Sequence, residues 1–532
     1  MRSFRQAPRF LFGILVSVCF YGIASSQSPD SSPTKSAEHG DAVAMAGRVD
    51  ELLGELWAEK EIQPAEAAMP HAFMRRAWLD LTGVVPRVAE VRAFTEKLDE
   101  KATAEQQAES HRRMVDKLLK SPRHSTHLAN TWQRVILPDG FAAEMAGGGQ
   151  AMHQWLRGRF AQNMRYDRIV GDFLTATGGT ESGPTLFYQA LESKPEKLAA
   201  YTARIFLGLQ LSCAQCHDHP FDDFSQEDFW EYAAFFAQVK GDRQGRGYRL
   251  SDGASGEVTL PEEDDAIAPQ FPNGDDPKQN EGARRLQLSI WMSSPNNPFL
   301  AKATVNRVWS LMFGKGLVNP VDDLNPENVP VHPQLLEELS EYFVDGDYDI
   351  RELFRTLAYT KAYQASSKAS SQEEGSARRA VFAQMATKAL TAEQLFDSIQ
   401  QSQLLASSNN SSNVASNNQR NAFVTLMENK TRDATEYAAG IQQTLHLMND
   451  RQPTVSTIAM NVGLAAALDA PFLSDEERME TLFLSTVSRF PVADEKTLFA
   501  ESFQGADSQK MRATRSDLLW ALLNSAEFRF NH

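Results

Sequence analysis

Residues 73–83 read Phe-Met-Arg-Arg-Ala-Trp-Leu-Asp-Leu-Thr-Gly, and this stretch predicts the kind of element from which the chain is built. Its apolar residues recur at the spacing of one helix face. It ends at Gly83, a residue suited to the left-handed position that closes a helix. Pro86 follows and prevents an early continuation of that helix. We therefore predict a helix that ends at Gly83.

The same helical spacing continues along most of the chain and predicts an all-α fold. It runs from residue 43 to residue 240, stops in a segment rich in Gly, Asp, Pro and Glu, and returns from residue 284 to residue 532. We interpret residues 241–283 as an irregular acidic linker between two helical domains, with candidate short strands at 249–251 and 257–260. A Ser- and Asn-rich insert at 407–418 is predicted to be a disordered surface loop.

The N-terminus has the pattern of a secretory signal peptide. Three arginines and no acidic residue precede an apolar run at residues 10–23, and small residues follow that run. This pattern predicts a signal peptide over residues 1–26 and then a flexible leader over 27–42. We therefore expect an exported protein that is periplasmic, at the cell surface or extracellular. No later segment is long and apolar enough to predict a membrane span.

The charge balance excludes some classes of partner. The formal net charge is −16, and without residues 1–26 the chain keeps 50 basic residues against 69 acidic ones, a balance of −19. Such a balance argues against binding nucleic acid, whose phosphates need clusters of Lys and Arg, and against docking on anionic lipid. An acidic surface suits a basic redox partner protein, although more often it simply keeps a protein soluble.

The sequence Cys213-Ala-Gln-Cys216-His217-Asp-His219 is the chemically distinctive one. The chain has three cysteines, and Cys19 lies in the predicted signal peptide, so the mature chain keeps one closely spaced pair. The pattern C-x-x-C-H is typical of c-type haem attachment, in which two thiols bind the haem vinyl groups and the next imidazole binds the iron. We therefore predict that Cys213, Cys216 and His217 hold one haem c.

The sequence does not identify a sixth ligand for the iron. Three methionines are suitable by type, namely Met292, Met312 and Met448. Methionines on apolar helix faces usually fill gaps in a core, and that interpretation is the favoured one for each of them.

Two other chemistries suit the same corner. With His219 as a further ligand, the Cys and His side chains offer four donors for zinc, although adjacent Cys and His rarely point at one ion. A redox-active disulfide is the other alternative, but the βαβ pattern that accompanies such sites is missing from the sequence. His219 can also simply hydrogen-bond the turn before Pro220. The nearby Asp218, Asp222 and Asp223 are interpreted as solvated acids, with orientation of an imidazole as the alternative.

A second group of polar and aromatic residues lies in the second half of the chain: Asn306, Arg307, Trp309, Asp322 and Asp323. Residues of these types line grooves that bind carbohydrates and other ligands. The favoured alternative is a buried Arg–Asp pair that ties a helix to the Gly-rich turn at 314–316. The sequence contains no GxSxG, HExxH or phosphate-binding loop, so it assigns no reaction.

Several stretches resemble one known family. Residues 73–86 resemble the opening motif of a planctomycete cytochrome-like domain, and residues 213–222 with 226–229 resemble its signature. Further stretches, in chain order, resemble its companion C-terminal domain: 297–309, 313–323, 389–395 and 445–449. These are the domain-of-unknown-function families 1549 and 1553, and the resemblance covers nearly all of the mature chain.

The resemblance implies two domains and a cytochrome-like site whose motif includes Asp222. Many members carry a further cytochrome module with its own CxxCH, whereas this sequence has a single CxxCH, which implies at most one haem. The leading hypothesis is an exported, single-haem, c-type cytochrome-like protein that acts in electron transfer or as a redox module. The alternatives are a non-redox surface binding or scaffold protein with a metal or disulfide corner, and an extracellular enzyme of unknown substrate.

Overall fold

The computed structural model describes residues 39–96, 103–138, 141, 148–244, 247–261, 263–277, 282–402, 417–427, 435, 443, 464, 468–503 and 508–532. Over these residues the fold is mostly helical, as the sequence predicts, with 22 α-helices and seven short strands. The predicted signal peptide at 1–26 lies outside the described residues. Helix α1 begins at His39, which corrects the end of the flexible leader predicted at 27–42.

Ten helices precede the predicted linker. They are α1 (His39–Glu59), α2 (Pro70–Thr82), α3 (Val88–Thr95), α4 (Ala104–Leu119), α5 (Pro122–Ile136), α6 (Gly148–Ala161), α7 (Tyr166–Leu174), α8 (Thr185–Ala190), α9 (Pro195–Thr202) and α10 (Gln226–Ala234). Their starts follow local chemistry. Thr103 and Gln106 form a reciprocal capping box at the start of α4, and Pro195 occupies the first turn of α9.

Twelve helices follow the linker. They are α11 (Arg284–Met292), α12 (Leu300–Phe313), α13 (Pro333–Asp345), α14 (Ile350–Tyr359), α15 (Lys361–Gln364), α16 (Gln372–Ala380), α17 (Ala392–Ser402), α18 (Asn417–Met427), α19 (Asp475–Thr486), α20 (Ala493–Phe503), α21 (Ser508–Asn524) and α22 (Ala526–Arg529). Most of the insert predicted to be disordered lies outside the described residues, and its last two residues begin α18. No helix in the described ranges is long and apolar enough to cross a membrane.

The predicted linker contains the expected short strands, and it contacts residues that precede it and residues that follow it in the chain. Strands β2 (Val239–Gln244) and β3 (Gly247–Asp252) form an antiparallel hairpin, and β3 also pairs with β1 (Gly178–Gly179). A second ladder joins β4 (Val258–Thr259) to β5 (Ala266–Ile267). Phe271 then stacks between Phe235 before the linker and Trp291 after it, with ring centroids 4.9 and 4.8 Å away.

The largest hydrophobic core draws residues from both predicted helical domains. It contains Leu52 and Trp132 from before the linker and Trp309 and Leu357 from after it, all at most 1% exposed. Because the two halves bury apolar faces against each other, the described residues from 39 onward form one compact unit. The described residues therefore show no separation at the linker, and the domain boundaries 43–240 and 284–532 stay a prediction.

Helix α2 lies at the centre of this shared packing. As predicted, it ends at Gly83, whose φ of 74° is left-handed and whose N–H donates to the carbonyl of Leu79. Its two arginines, Arg75 and Arg76, are 1% exposed, and each donates to backbone carbonyls more than 280 residues later in the chain. Arg75 reaches Thr486 at the end of α19, where the helix dipole favours a cation.

The next turn of α2 carries a buried acid–base pair. Asp80 accepts from Lys388 Nζ at 2.7 Å, from Tyr363 Oη at 2.8 Å and from Asn531 Nδ2 at 2.8 Å. Lys388 lies in β6 (Lys388–Ala389), which pairs with β7 (Phe530–Asn531), and it also donates to the carbonyl of Met312 at the end of α12. Burial raises the pKa of Asp80 and lowers the pKa of Lys388, while their mutual attraction opposes both shifts.

The glycine that closes α2 provides a local test. Gly83→Ala places a methyl group about 2.6 Å from His127 Nδ1 and at a left-handed φ, so we expect a loss of at least ~1 kcal/mol of unfolding free energy. Gly54→Ala, in the middle of α1 with open space around its Cβ, is the matched control and should stabilise the protein by ~0.5–1 kcal/mol. Urea denaturation measures both, and equal effects of the two substitutions would contradict this account.

The buried pair predicts a strongly non-additive double variant. Asp80→Asn or Lys388→Met alone leaves a partner buried without its opposite charge, so each should cost ~3–5 kcal/mol of unfolding free energy. The double variant should lose clearly less than the sum of the two, because no buried charge remains unpaired. Denaturation of all four proteins measures the coupling. The exposed pair Glu109–Arg113 is the control, and the prediction fails if its coupling is as large.

Candidate functional site

The backbone before the CxxCH corner has an unusual sequence of turns. Helix α9 continues into one π-helical turn at Ala203–Leu207, a feature often found near functional sites. Gly208 follows with φ of 70°, and a Cβ there would lie 2.7 Å from Leu324 Cδ1. The chain then forms a 3₁₀ turn at Leu211–Gln215. Glycine is suited to this position because φ is left-handed and the side chain of Leu324 lies close to where a Cβ would be.

Both thiols belong to this short stretch of backbone. Cys213 lies within the 3₁₀ turn, and Cys216, three residues later, is the residue that follows its end. Both thiols are exposed and neither forms a disulfide. Between and before them, Ala214 and Leu211 are buried in the core. The turn is thus anchored by its apolar side and presents both sulfur atoms to the outside.

Helix α10 holds the far side of the corner in place. The carbonyl of Gln215 accepts hydrogen bonds from Gln226 Nε2 and Trp230 Nε1, each at 3.2 Å. Asp218 accepts from the backbone N–H of Gln226, so this acid caps the helix. Ser225 and Asp228 form a capping box at the start of α10, with reciprocal hydrogen bonds.

The two imidazoles of the corner have different environments. His217 is exposed, and its Nδ1 donates to the carbonyl of Asp218 at 2.7 Å. That hydrogen bond places the proton on Nδ1 and leaves the Nε2 lone pair available to a metal. His219 instead accepts from the N–H of Phe221 through Nδ1, and its own backbone N–H donates to Phe224. His219 therefore stabilises the turn around Pro220, as one of the sequence alternatives states.

The described residues do not assemble the alternative zinc site. Among them, no three His, Cys, Asp or Glu side chains lie close enough together to hold a metal ion, and all four proposed donors at the corner are described. The two thiols and the Nε2 of His217 fit the donor set of a c-type haem site, because they are unpaired, adjacent and open to solvent. Which cofactor binds stays a prediction.

A loop from the second half of the chain lies against the corner. The N–H of Leu324 donates to the carbonyl of Gly208 at 2.8 Å, and Asp322 forms an ion pair with Arg204 at 3.1 Å. Burial raises the pKa of Asp222, and the nearby Asp323 adds to that shift through repulsion. The loop at 322–324 thus reaches the CxxCH turn, a contact that the sequence analysis did not predict. No local pattern marks Arg204, which lies 118 residues from its partner.

The residues proposed to form a ligand groove lie in different parts of the structure. Asn306 is fully buried and binds the carbonyls of Val318 and Val321, and Trp309 is fully buried against Phe313 with ring centroids 4.2 Å apart. These two side chains offer no surface to a ligand in this conformation. Arg307 donates to the carbonyl of Ile205, whereas Asp322 and Asp323 lie beside the CxxCH corner. Asn306 thus ties the helix to the turn that follows it.

The methionines named as sixth-ligand candidates are structural where they are described. Met292 at the end of α11 and Met312 near the end of α12 are both fully buried in the large core. Their burial agrees with the core interpretation. Met448 lies outside the described residues.

Comparison with known proteins places this helical fold and its exposed CxxCH turn in a family. A family model described as PSCyt2, protein of unknown function (DUF1549), matches residues 48–241. A second, PSD1, protein of unknown function (DUF1553), matches residues 284–440. The chain belongs to the proteins that carry a DUF1549 domain followed by a DUF1553 domain, as the sequence motifs indicate. No curated protein and no solved structure matches it significantly.

The exposure of the two thiols predicts their reactivity. In protein produced without its leader and without haem, Cys213 and Cys216 should both react rapidly with a chromogenic aromatic disulfide under native conditions, because both sulfur atoms are open to solvent. Absorbance of the released thiol counts them, and the double variant Cys213→Ser/Cys216→Ser is the blank. Reaction only after unfolding would contradict the exposed geometry.

Proposed function

We propose that the protein is an exported, single-haem, c-type cytochrome-like protein that transfers electrons or serves as a redox module. In this proposal Cys213 and Cys216 would hold the haem, and the imidazole of His217 would bind its iron. The observation that carries it is the arrangement of the corner, with two unpaired, exposed thiols three residues apart at a 3₁₀ turn and a free Nε2 on the residue after the second thiol. The cytochrome-like name of the matched family supports it.

The covalent step needs no oxidant or reductant. Each thiol would add across one vinyl group, so that sulfur would form a C–S bond to one carbon and the thiol hydrogen would end on the other. The haem, when bound, supplies one-electron redox chemistry. The chain contributes the fixed spacing of the two sulfur atoms, set by the buried Leu211 and Ala214 and by the hydrogen bonds to Gln215.

Orientation of the axial imidazole is the other contribution of the chain. The Asp218 carbonyl, which accepts the Nδ1 proton of His217, fixes the tautomer that presents Nε2. The side chain of Asp218 caps α10 at the same time, so the position of this carbonyl is tied to the helix.

The surroundings of the corner suit a partner with a basic surface. Asp218, Asp222 and Asp223 lie within six residues of His217, and Asp323 approaches from the second domain. Phe221 is 66% exposed in the middle of these acids. Complementary charge accelerates encounter between proteins, and an exposed aromatic ring adds apolar contact area. We propose a basic redox protein as the partner, outside the cytoplasm.

Expression with the periplasmic haem-attachment machinery tests this function. We expect covalent haem that survives denaturing electrophoresis, one per chain, and its complete loss in Cys213→Ser/Cys216→Ser. His217→Ala should keep the covalent attachment but change the Soret and visible bands, because the axial nitrogen is lost. His219→Ala, which removes only a turn-stabilising side chain, is the matched control and should retain the wild-type spectrum. Absence of a Soret band together with stoichiometric zinc would instead support the scaffold alternative.

A further inference from the structure

The chain enters the CxxCH corner through the π-helical turn at Ala203–Leu207 and through Gly208. The last carbonyls of a helix have no partner within it and must be bonded from outside. In this segment the donors come from the second family domain. Arg307 in α12 donates to the carbonyl of Ile205 at 3.3 Å, and the N–H of Leu324 donates to the carbonyl of Gly208 at 2.8 Å. The backbone that leads to the cysteines is therefore held by the other domain.

An ion pair joins the same turn to the same domain. Arg204 Nη1 lies 3.1 Å from Asp322 Oδ2, and the two side chains are only 20% and 16% exposed. The guanidinium of Arg204 also lies over the ring of Tyr201, 5.0 Å from its centroid, so the arginine is held on two sides. Because partial burial reduces screening by water, this pair restrains the turn more than a fully exposed pair would.

The loop that carries Asp322 is itself held in place. On one side of it, the fully buried Asn306 in α12 donates through Nδ2 to the carbonyl of Val321 at 3.0 Å. On the other side, Asn328 Nδ2 donates to the carbonyl of Asp323 at 2.9 Å. The position of the Asp322 carboxylate is thus set by residues that belong to the second domain.

The contact between the loop and the turn leaves little room for movement. A Cβ at Gly208 would lie 2.7 Å from Leu324 Cδ1 and 3.4 Å from Ala303 Cβ. Closely packed groups transmit displacement, so a shift of the loop would move the turn with it. On the far side of the corner, α10 binds the carbonyl of Gln215 through two side chains. The cysteines are therefore held by α10 on one side and by the second domain on the other.

We propose that the second family domain positions the CxxCH turn for haem attachment, with Asp322 as the positioning residue that acts through Arg204. The inference rests on the proposed function, and it gives the second domain a role in the same chemistry. Two thiols must reach two vinyl groups of one rigid ring, so displacement of the turn would impair attachment without unfolding the protein. Asp322 acts by fixing the backbone that precedes Cys213.

Charge reversal in the full-length chain, coexpressed with the periplasmic haem-attachment machinery, tests this role. Asp322→Arg brings two guanidinium groups together and Arg204→Asp brings two carboxylates together, so each should lower covalent haem per folded chain about fivefold or more. The double variant Arg204→Asp/Asp322→Arg restores the attraction with the charges exchanged and should recover about half of the wild-type yield or more. Asp172→Arg reverses a charge in the 3.0 Å ion pair with Arg159, inside the first domain, and should leave the yield unchanged.

Two further measurements separate positioning from stability and from the haem hypothesis. Thermal unfolding shows whether each variant is folded, because a pair that only stabilised the fold would shift the unfolding temperature and leave haem per folded chain unchanged. Hydrogen exchange of residues 205–217, measured in protein produced without haem, should be about tenfold faster in each single variant, because the turn opens locally. It should slow again in the double variant.

The outcomes distinguish this proposal from the proposed function. Haem on the wild type, with an undiminished yield in folded Asp322→Arg and Arg204→Asp, would overturn the role of the second domain and leave the proposed function standing. No haem on the wild type would overturn both, although faster exchange in the single variants would still support ordering of the turn by the second domain. Single variants that the double variant does not rescue would overturn the ion pair as the means of positioning.

Discussion

The buried pair of Asp80 and Lys388 is the interaction on which the joining of the two family domains depends. A carboxylate and an ammonium group removed from water are costly unless each is fully hydrogen-bonded. Here the bonds come from four separate parts of the chain: α2, the end of α12, Tyr363 and the C-terminal Asn531. A small shift of either domain would leave a charge without its partner. The pair therefore contributes to selecting one relative placement of the domains, in addition to the apolar core that they share.

That fixed placement determines the surroundings of the CxxCH corner. Because the second domain is held against α2, its loop at 322–324 lies on the turn that precedes the cysteines, where it bonds to Gly208 and pairs with Arg204. The corner is thus supported by α9, by α10 and by the other domain, while its sulfur atoms and His217 remain exposed. A turn that is held rigidly by its neighbours and exposes its sulfur atoms is the arrangement that attachment of a cofactor through short side chains requires.

The same interface has a different electrostatic character elsewhere. Around the corner, burial raises the pKa of Asp222, and repulsion from Asp223 and Asp323 adds to that shift. Between α5 and α17, by contrast, burial and the nearby Arg87 lower the pKa of Arg123, while Asp397 and Glu90 oppose that shift. This difference is a local property that a net charge of −16 does not indicate.

The sequence by itself determined the features that depend on neighbouring residues. The helix end at Gly83 and the short strands of the linker follow from spacing over a few residues, and the structure has both where predicted. Helical periodicity and capping depend on residues within one or two turns of each other, so they can be predicted from the sequence.

Only the tertiary structure decided which distant groups meet. Asn306 and Trp309 lie in the core, and Asp322 and Asp323 lie beside the CxxCH corner. Polar residues of α5, such as Arg123 and Arg134, face α17. The partners in these contacts are separated by up to several hundred residues, and their pairing depends on how whole helices pack. The physical reason is that a buried charge or polar group must bond to whichever partner lies next to it in the folded protein. The spacing of neighbouring residues in the sequence does not show which distant residue that is.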